Sequence, residues 1–366
     1  MRYIPILLGF FLLSIPPGKP QRTTNGRAAL VLESKTAKVA VDLAGGSIND
    51  FHLTDHDLNP LTWDSKGENP DPRPMGHFLC LDRWGAPSAA EQRNGMPFHG
   101  EASRVTWRVL SQPAPKGDTI AAEMAASLPI AGLEVTRQIR LSTDAAFFTV
   151  AERVTNRNKL GRTYNMVQHP TIAPPFLDES TLVDANARRG FMQNSPLPNP
   201  EQPAVEWPNA LNKAQRVDMR RLTKDAEPNV VSYIIDEEYG WTTASSLSGG
   251  LLIGYIWKTA DYPWFNVWRH TEKGRPVARG LEFGTTGLHQ PFPILVKKGQ
   301  IFDRPLLTYI DAGETATRSY ACFLFRIPKD YKGVAKVTYD QGQLRLHEHG
   351  GSTRVLTMKV DDLFAE

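Results

Sequence analysis

Between Leu133 and Val154 apolar and polar residues alternate with a period of two. Leu133, Val135, Ile139 and Leu141 fall on one side of an extended run, and Phe148, Val150 and Val154 do the same in the next. That period belongs to a strand with one face in a core, not to a helical stripe. Ser142-Thr143-Asp144-Ala145-Ala146 supplies a turn between the runs, so the two read as an antiparallel hairpin. Further strands are expected near 29–33, 37–43, 47–54, 104–111, 118–127, 231–236, 250–257, 306–310, 318–326 and 334–338, with a final pair near 342–347 and 353–360. Helical signals are sparse. The best candidate, Pro208 to Leu222, keeps a poor 3.6-residue period. Asp57 to Met75 and Asn194 to Glu206 are proline-rich and read as loops. Many strands and few helices predict an all-β fold, one large antiparallel β-sandwich. The 366 residues would allow two domains, but all-β units often run this long and no internal repeat or boundary interrupts the pattern.

A hydrophobic content of 41% is enough for a large core. The formal net charge is only +3 and its cations are scattered, with nothing that resembles the concentrated basic face of a nucleic-acid binder, so no nucleic-acid partner is expected. At the N-terminus Arg2 precedes an apolar run from Tyr3 to Ile15, closed by Pro16-Pro17-Gly18. The run is short for a transmembrane helix and reads as an export signal within residues 1–20. It lacks a small-x-small cleavage site, so an uncleaved anchor is the alternative. Residues 21–28 then read as a linker and 29–366 as one domain, in a protein exported to the periplasm or the outside of the cell. Cys80 and Cys322 lie in apolar strand-like runs. Free buried thiols are the simpler reading. An exported location also permits a disulfide.

Three segments carry candidate chemistry. Glu282 sits between Leu281 and Phe283 in a glycine-rich stretch. Burial there would raise its pKa toward the range of a general base. His99 lies between Phe98 and Gly100, downstream of Arg83-Trp84, a cation beside an aromatic. His169 ends a strand-like run and precedes Pro170, where it could move a proton near neutral pH. Asn266 stands among the aromatics of Trp264 to Trp268. Each residue alone reads as structural. Together they suggest a site for sugar rings, which combine apolar C–H patches with many hydroxyls. His52, His56, His270, His289, His347 and His349 show no metal-ligand spacing, and His347 and His349 are expected on an exposed C-terminal hairpin. No metal or cofactor is expected.

Taken in order, these pieces resemble the aldose 1-epimerase (galactose mutarotase-like) superfamily. Gly45-Gly46-Ser47-Ile48-Asn49-Asp50-Phe51 is similar to its early glycine-rich hairpin. Met96-Pro97-Phe98-His99-Gly100-Glu101 with Trp107 is similar to its His-Gly segment and the following Trp strand. Val154-Thr155-Asn156 precedes Gln168-His169-Pro170 as an Asn strand precedes the family's catalytic His, and Leu281-Glu282 stands at the place of the catalytic Glu. The resemblance implies a large antiparallel sandwich and an isomerase that interconverts sugar anomers. It implies Glu282 as base and His169 as acid, with His99 and Arg83 holding oxygens of a small-molecule sugar; Trp84, Asn266 and Asp261 are the further candidates for binding it. There are departures. Thr171 replaces an aromatic common two residues after the His, and Phe283-Gly284-Thr285-Thr286 replaces the usual sequence after the Glu. Asp261 is nominated without a matching motif. These departures mark a divergent branch. A non-catalytic carbohydrate-binding protein is the alternative. A glycoside hydrolase or lyase is a third reading, with Glu101 and Glu282 as the carboxylate pair a hydrolase needs.

Overall fold

The computed structural model describes residues 21–22, 26–67 and 71–364. The segment assigned to export, 1–20, lies outside them. Two large antiparallel sheets stack face to face. In the larger, the central strands run in the order Ile48–Leu53, His77–Asp82, Arg162–Ile172, Arg275–Gly284, Trp264–Glu272 and Val230–Ile235. The smaller contains Tyr239–Ser246, Leu251–Lys258, Thr315–Arg326, Phe147–Asn156, Leu133–Ser142 and Thr119–Leu128, flanked by Leu182–Ala185 and Arg108–Lys116. The all-β sandwich expected from the strand periodicity is therefore the observed fold. Within the stretch read as a linker, Gln21–Arg22 pair with Ala28 and Ala29.

The period-two hairpin forms in the register its pattern implies. Val135 faces Val154, Ile139 faces Val150 and Leu141 faces Phe148, all buried in the core between the sheets. One buried polar chain crosses that core. Arg137 Nε donates to Glu152 Oε1 at 2.6 Å, and Gln168 Nε2 donates to Glu152 Oε2 at 2.6 Å. Gln168 Oε1 meets His77 Nε2 at 3.1 Å. Arg137 also donates to the Gly46 carbonyl and lies 4.5 Å over the Trp107 ring. Gly46, at φ 66°, is pressed so closely under Trp107 that a Cβ would fall 2.3 Å from the indole. This gives the glycine-rich hairpin and the Trp strand a packing role.

Pro208 to Leu222 is not a helix. It forms the hairpin Asn209–Asn212 with Gln215–Asp218, turning at Lys213 with φ 55°. Burial of Ala210, Met219 and Leu222 in the main core decides this over the weak helical period. A short helix, Phe292–Lys298, had real signals in Pro291 before it and Gly299 after it. The C-terminal strands Val334–Asp340, Gln343–Glu348 and Val355–Lys359 form a separate sheet. Its Val334, Val337, Leu344 and Leu346 pack on the outer face of the smaller sheet. His349 is correspondingly not free on an exposed hairpin; its Nε2 lies 3.1 Å from the buried Asp184. Cys80 and Cys322 are free and buried. Among the described residues no helix is long and apolar enough to cross a membrane.

Candidate active site

Strand alternation separates the two faces of the larger sheet. Gln168 and Phe283 point into the interlayer core, so their neighbours His169 and Glu282 point to the outer face. There the strand Arg275–Gly284 lies between Arg162–Ile172 and Trp264–Glu272, and Asn266 pairs directly with Glu282. His169 pairs with Phe78 on the next strand and stacks on its ring at 4.1 Å.

Glu282 and His169 form the centre of the site. His169 Nε2 lies 3.1 Å from Glu282 Oε1, and Trp84 Nε1 donates to Glu282 Oε2 at 2.7 Å. Glu282 is 1% exposed and His169 5%. Gly280, two residues from Glu282 on the same face, leaves space for the carboxyl: a Cβ there would meet Oε1 at 2.7 Å. On the other side of the imidazole, His169 Nδ1 lies 2.9 Å from Thr171 Oγ1, whose hydroxyl donates to the His169 carbonyl at 3.4 Å. Burial pushes the Glu282 carboxyl well above its usual range, with the Trp84 N–H opposing more weakly. Burial lowers His169 to about 3. Both shifts favour the uncharged forms, a carboxyl that keeps its proton and a neutral imidazole. The hydrogen bonds accommodate this form: Oε1–H donates to Nε2, Oε2 accepts from Trp84, and Nδ1–H donates to Thr171. The shifts favour the proton on Glu282, whereas the resemblance implied Glu282 as base and His169 as acid.

His99 joins the pair from a loop. It has φ 66°, a left-handed conformation that costs a non-glycine residue energy. Two bonds hold it there: its N–H donates to the Gly85 carbonyl at 3.0 Å, and its Nδ1 accepts from Gly85 N–H at 3.0 Å. Because Nδ1 is an acceptor, the ring proton sits on Nε2. Burial keeps the pKa of His99 well below the ordinary value. Its ring lies 5.5 Å from those of both His169 and His289. Phe98, 46% exposed, and the half-buried Trp63 and Trp268 edge the site.

The structure thus brings together Glu282, His169, His99, Trp84 and Asn266. Asn266 Nδ2 donates to the Thr286 carbonyl at 3.2 Å, while its buried Oδ1 has no partner among the described residues. Arg83 is adjacent but turned away, paired with Asp82 at 2.7 Å and Glu91 at 2.7 Å beneath Phe292. Asp261 is not brought in. It lies in the turn after Leu251–Lys258, where its carbonyl accepts from Arg318 Nε at 3.2 Å. Glu101 accepts from Ile130 N–H and Ala131 N–H at 3.2 and 2.7 Å. Sequence reasoning missed His289. Gln193 places it, accepting from its N–H at 2.9 Å and donating to the Gly287 carbonyl at 2.7 Å. Local sequence holds no sign of that long-range tether. Among the described residues no three His, Cys, Asp or Glu side chains are grouped as metal ligands.

Residues 79–293 match the model of a protein family described only as a domain of unknown function, DUF4432. The chain belongs to the DUF4432 family. The matched span contains Trp84, His99, His169, Asn266, Glu282 and His289. No curated protein matches the chain. Among solved structures it is similar to a galactose mutarotase-like protein from Clostridium acetobutylicum, at 10% identity and a TM-score of 0.60, over 84% of this chain and 98% of that one. It is also similar to a galactose mutarotase related enzyme from Lactobacillus acidophilus, at 12% identity and a TM-score of 0.59, over 82% and 98% of the two chains. A third is the Slr1438 protein from Synechocystis sp. PCC 6803, at 12% identity and a TM-score of 0.59, over 86% and 100%. At these identities the likeness is one of fold, and the DUF4432 chain has the galactose mutarotase-like fold.

Proposed function

We propose that this DUF4432 protein is a carbohydrate isomerase that interconverts the anomers of a reducing sugar. The observation that carries the reading is the His169–Glu282 contact of 3.1 Å on the outer face of the larger sheet. Ring opening needs one group to take the anomeric hydroxyl proton and another to protonate the ring oxygen. The resting pair supplies both. Once O1–H and O5 of the sugar replace the direct contact between the two groups, His169 Nε2 accepts the proton from O1–H while the Glu282 carboxyl gives its proton to O5, and the C1–O5 bond breaks to leave an open-chain aldehyde. Rotation about C1–C2 presents the other face of the carbonyl, and closure runs the transfers backward. One proton shared by two groups of unlike environment serves both directions. Trp84 holds the carboxyl and Thr171 the imidazole. The expected export signal would place this activity on sugars outside the cytoplasm.

A second reading, binding without turnover, is favoured by one observation: both Glu282 oxygens already have partners and the carboxyl is 1% exposed. Glu282→Gln separates the two. Anomer exchange measured by NMR should vanish in this variant if the pair is catalytic, with sugar binding retained. If the protein only binds, the wild type accelerates no exchange and the variant changes affinity alone.

A further inference from the structure

His289 is absent from the sequence-level set, and its surroundings are those of a ligand-facing residue. Its ring packs edge-on to Trp84 at 4.6 Å, to Phe98 at 5.4 Å and to His99 at 5.5 Å. Trp84 is the residue that donates to Glu282, so one indole touches both the carboxyl and His289. The backbone of His289 is anchored by Gln193. The space for its ring exists only because residue 85 is glycine: a Cβ there would fall 2.9 Å from the imidazole. No described residue takes a hydrogen bond from, or gives one to, either His289 ring nitrogen, and neither nitrogen is among the sealed unpartnered atoms. His99 resembles it. Its Nδ1 is used by Gly85, and its Nε2–H has no described partner. The three rings stand in a row, His169, His99, His289, with 5.5 Å between neighbours.

We infer that His289 is a further substrate-binding residue beside His99, which the resemblance already implied, and that its open ring nitrogens hydrogen-bond a hydroxyl group of an uncharged sugar. This rests on the acid–base reading above and extends it to the substrate. With the anomeric centre at His169 and Glu282, the row sets the direction of the ring: His99 meets the nearer hydroxyl and His289 the farther one. The exposed Phe98 flanks these donors with apolar surface suited to C–H faces. The chemistry selects a neutral partner. Both imidazoles are held uncharged by burial, His289 at about 4. Each brings a directional donor and no charge to match a phosphate or carboxylate. The adjacent Arg83 is already engaged, by Asp82 and Glu91.

The test is histidine-ring NMR on the full protein, assigned with single His→Asn variants. The probes are D-galactose and D-glucose as neutral sugars, and D-galacturonate and D-glucose 6-phosphate as anionic ones. The expected result is saturable movement of the His289 and His99 ring signals with a neutral sugar and none with its anionic counterpart. His289→Phe should weaken that binding by about tenfold, the value of one lost hydrogen bond, and His289→Asn, which keeps a donor, should restore most of it. In exchange kinetics the His289→Phe loss should fall mainly on KM. Movement at His169 with His289 and His99 unmoved would overturn this inference and leave the acid–base reading standing. Saturable binding of the anionic sugars alone would overturn the neutral-substrate assignment. No movement at any of the three rings, with no acceleration of exchange, would overturn both.

Discussion

The core between the sheets and the outer face of the larger sheet put the same residue types to opposite use. In the interlayer core Glu152, on a strand of the smaller sheet, is buried against Arg137 and against Gln168 of the larger sheet, and its hydrogen bonds are answered. On the outer face Glu282 is as deeply buried, yet it meets an indole N–H and a neutral imidazole, with no cation. The first arrangement pairs a buried carboxylate with a guanidinium and ties the two sheets together. The second leaves a buried carboxyl whose burial favours keeping its proton. Gln168 and His169 are consecutive, as are Glu282 and Phe283, so one step along a strand separates a structural role from a chemical one. The difference lies in how completely each polar group is answered by its neighbours.

Breaking the interlayer arrangement should have the largest effect. Arg137→Met leaves Glu152 buried without its cation and should cost about 3–5 kcal/mol of stability, read from the denaturant midpoint. Surviving folded protein should keep its exchange rate per molecule, because Arg137 does not touch the outer face. A pH experiment probes the outer face. His289 is lowered to about 4 from an ordinary 6.5, so as pH falls through this window the unfolded chain binds a proton that the folded one resists. Stability from this group is complete above 6.5 and falls toward pH 4 by about 3 kcal/mol. His289→Asn should flatten that part of the stability profile; an unchanged slope would show that His289 titrates freely.

Gly280→Ala sharpens the contrast, because its Cβ would press on Glu282 Oε1. Displacing the carboxyl should lower the exchange rate by about a hundredfold. Loss of folding in its place would make Gly280 a packing residue. The smallest effect is expected from Thr171→Val, which removes the His169 Nδ1 partner and should lower the rate by about tenfold or less. Its diagnostic is the pH profile, which should shift as the imidazole loses its fixed tautomer, whereas a packing defect would lower the rate evenly at all pH values.

The fold was legible because period-two alternation is a local property. The strand from Leu133 and its partner hairpin formed where the pattern put them, and the weak period of Pro208 to Leu222 left tertiary burial to decide. Glu282 and His169 were legible because each interrupts an apolar strand. Asp261 was nominated without a matching motif, for the Asp that contacts sugar in the resembled family, and it falls in the turn after Leu251–Lys258. Arg83 could not be read correctly, since its partner Glu91 comes from a helix turn that only the folded loop places beside it. His289 depends on Gln193, nearly a hundred positions earlier, and such tethers leave no local pattern.

Anomer exchange by NMR on glucose, galactose and a panel of other reducing sugars tests the central claim most directly. Wild type should be compared with Glu282→Gln and His169→Ala. The account predicts accelerated exchange of at least one neutral sugar, lost in both variants while the folded state is retained. Exchange that persists in Glu282→Gln, or wild-type protein that accelerates no sugar, would contradict it.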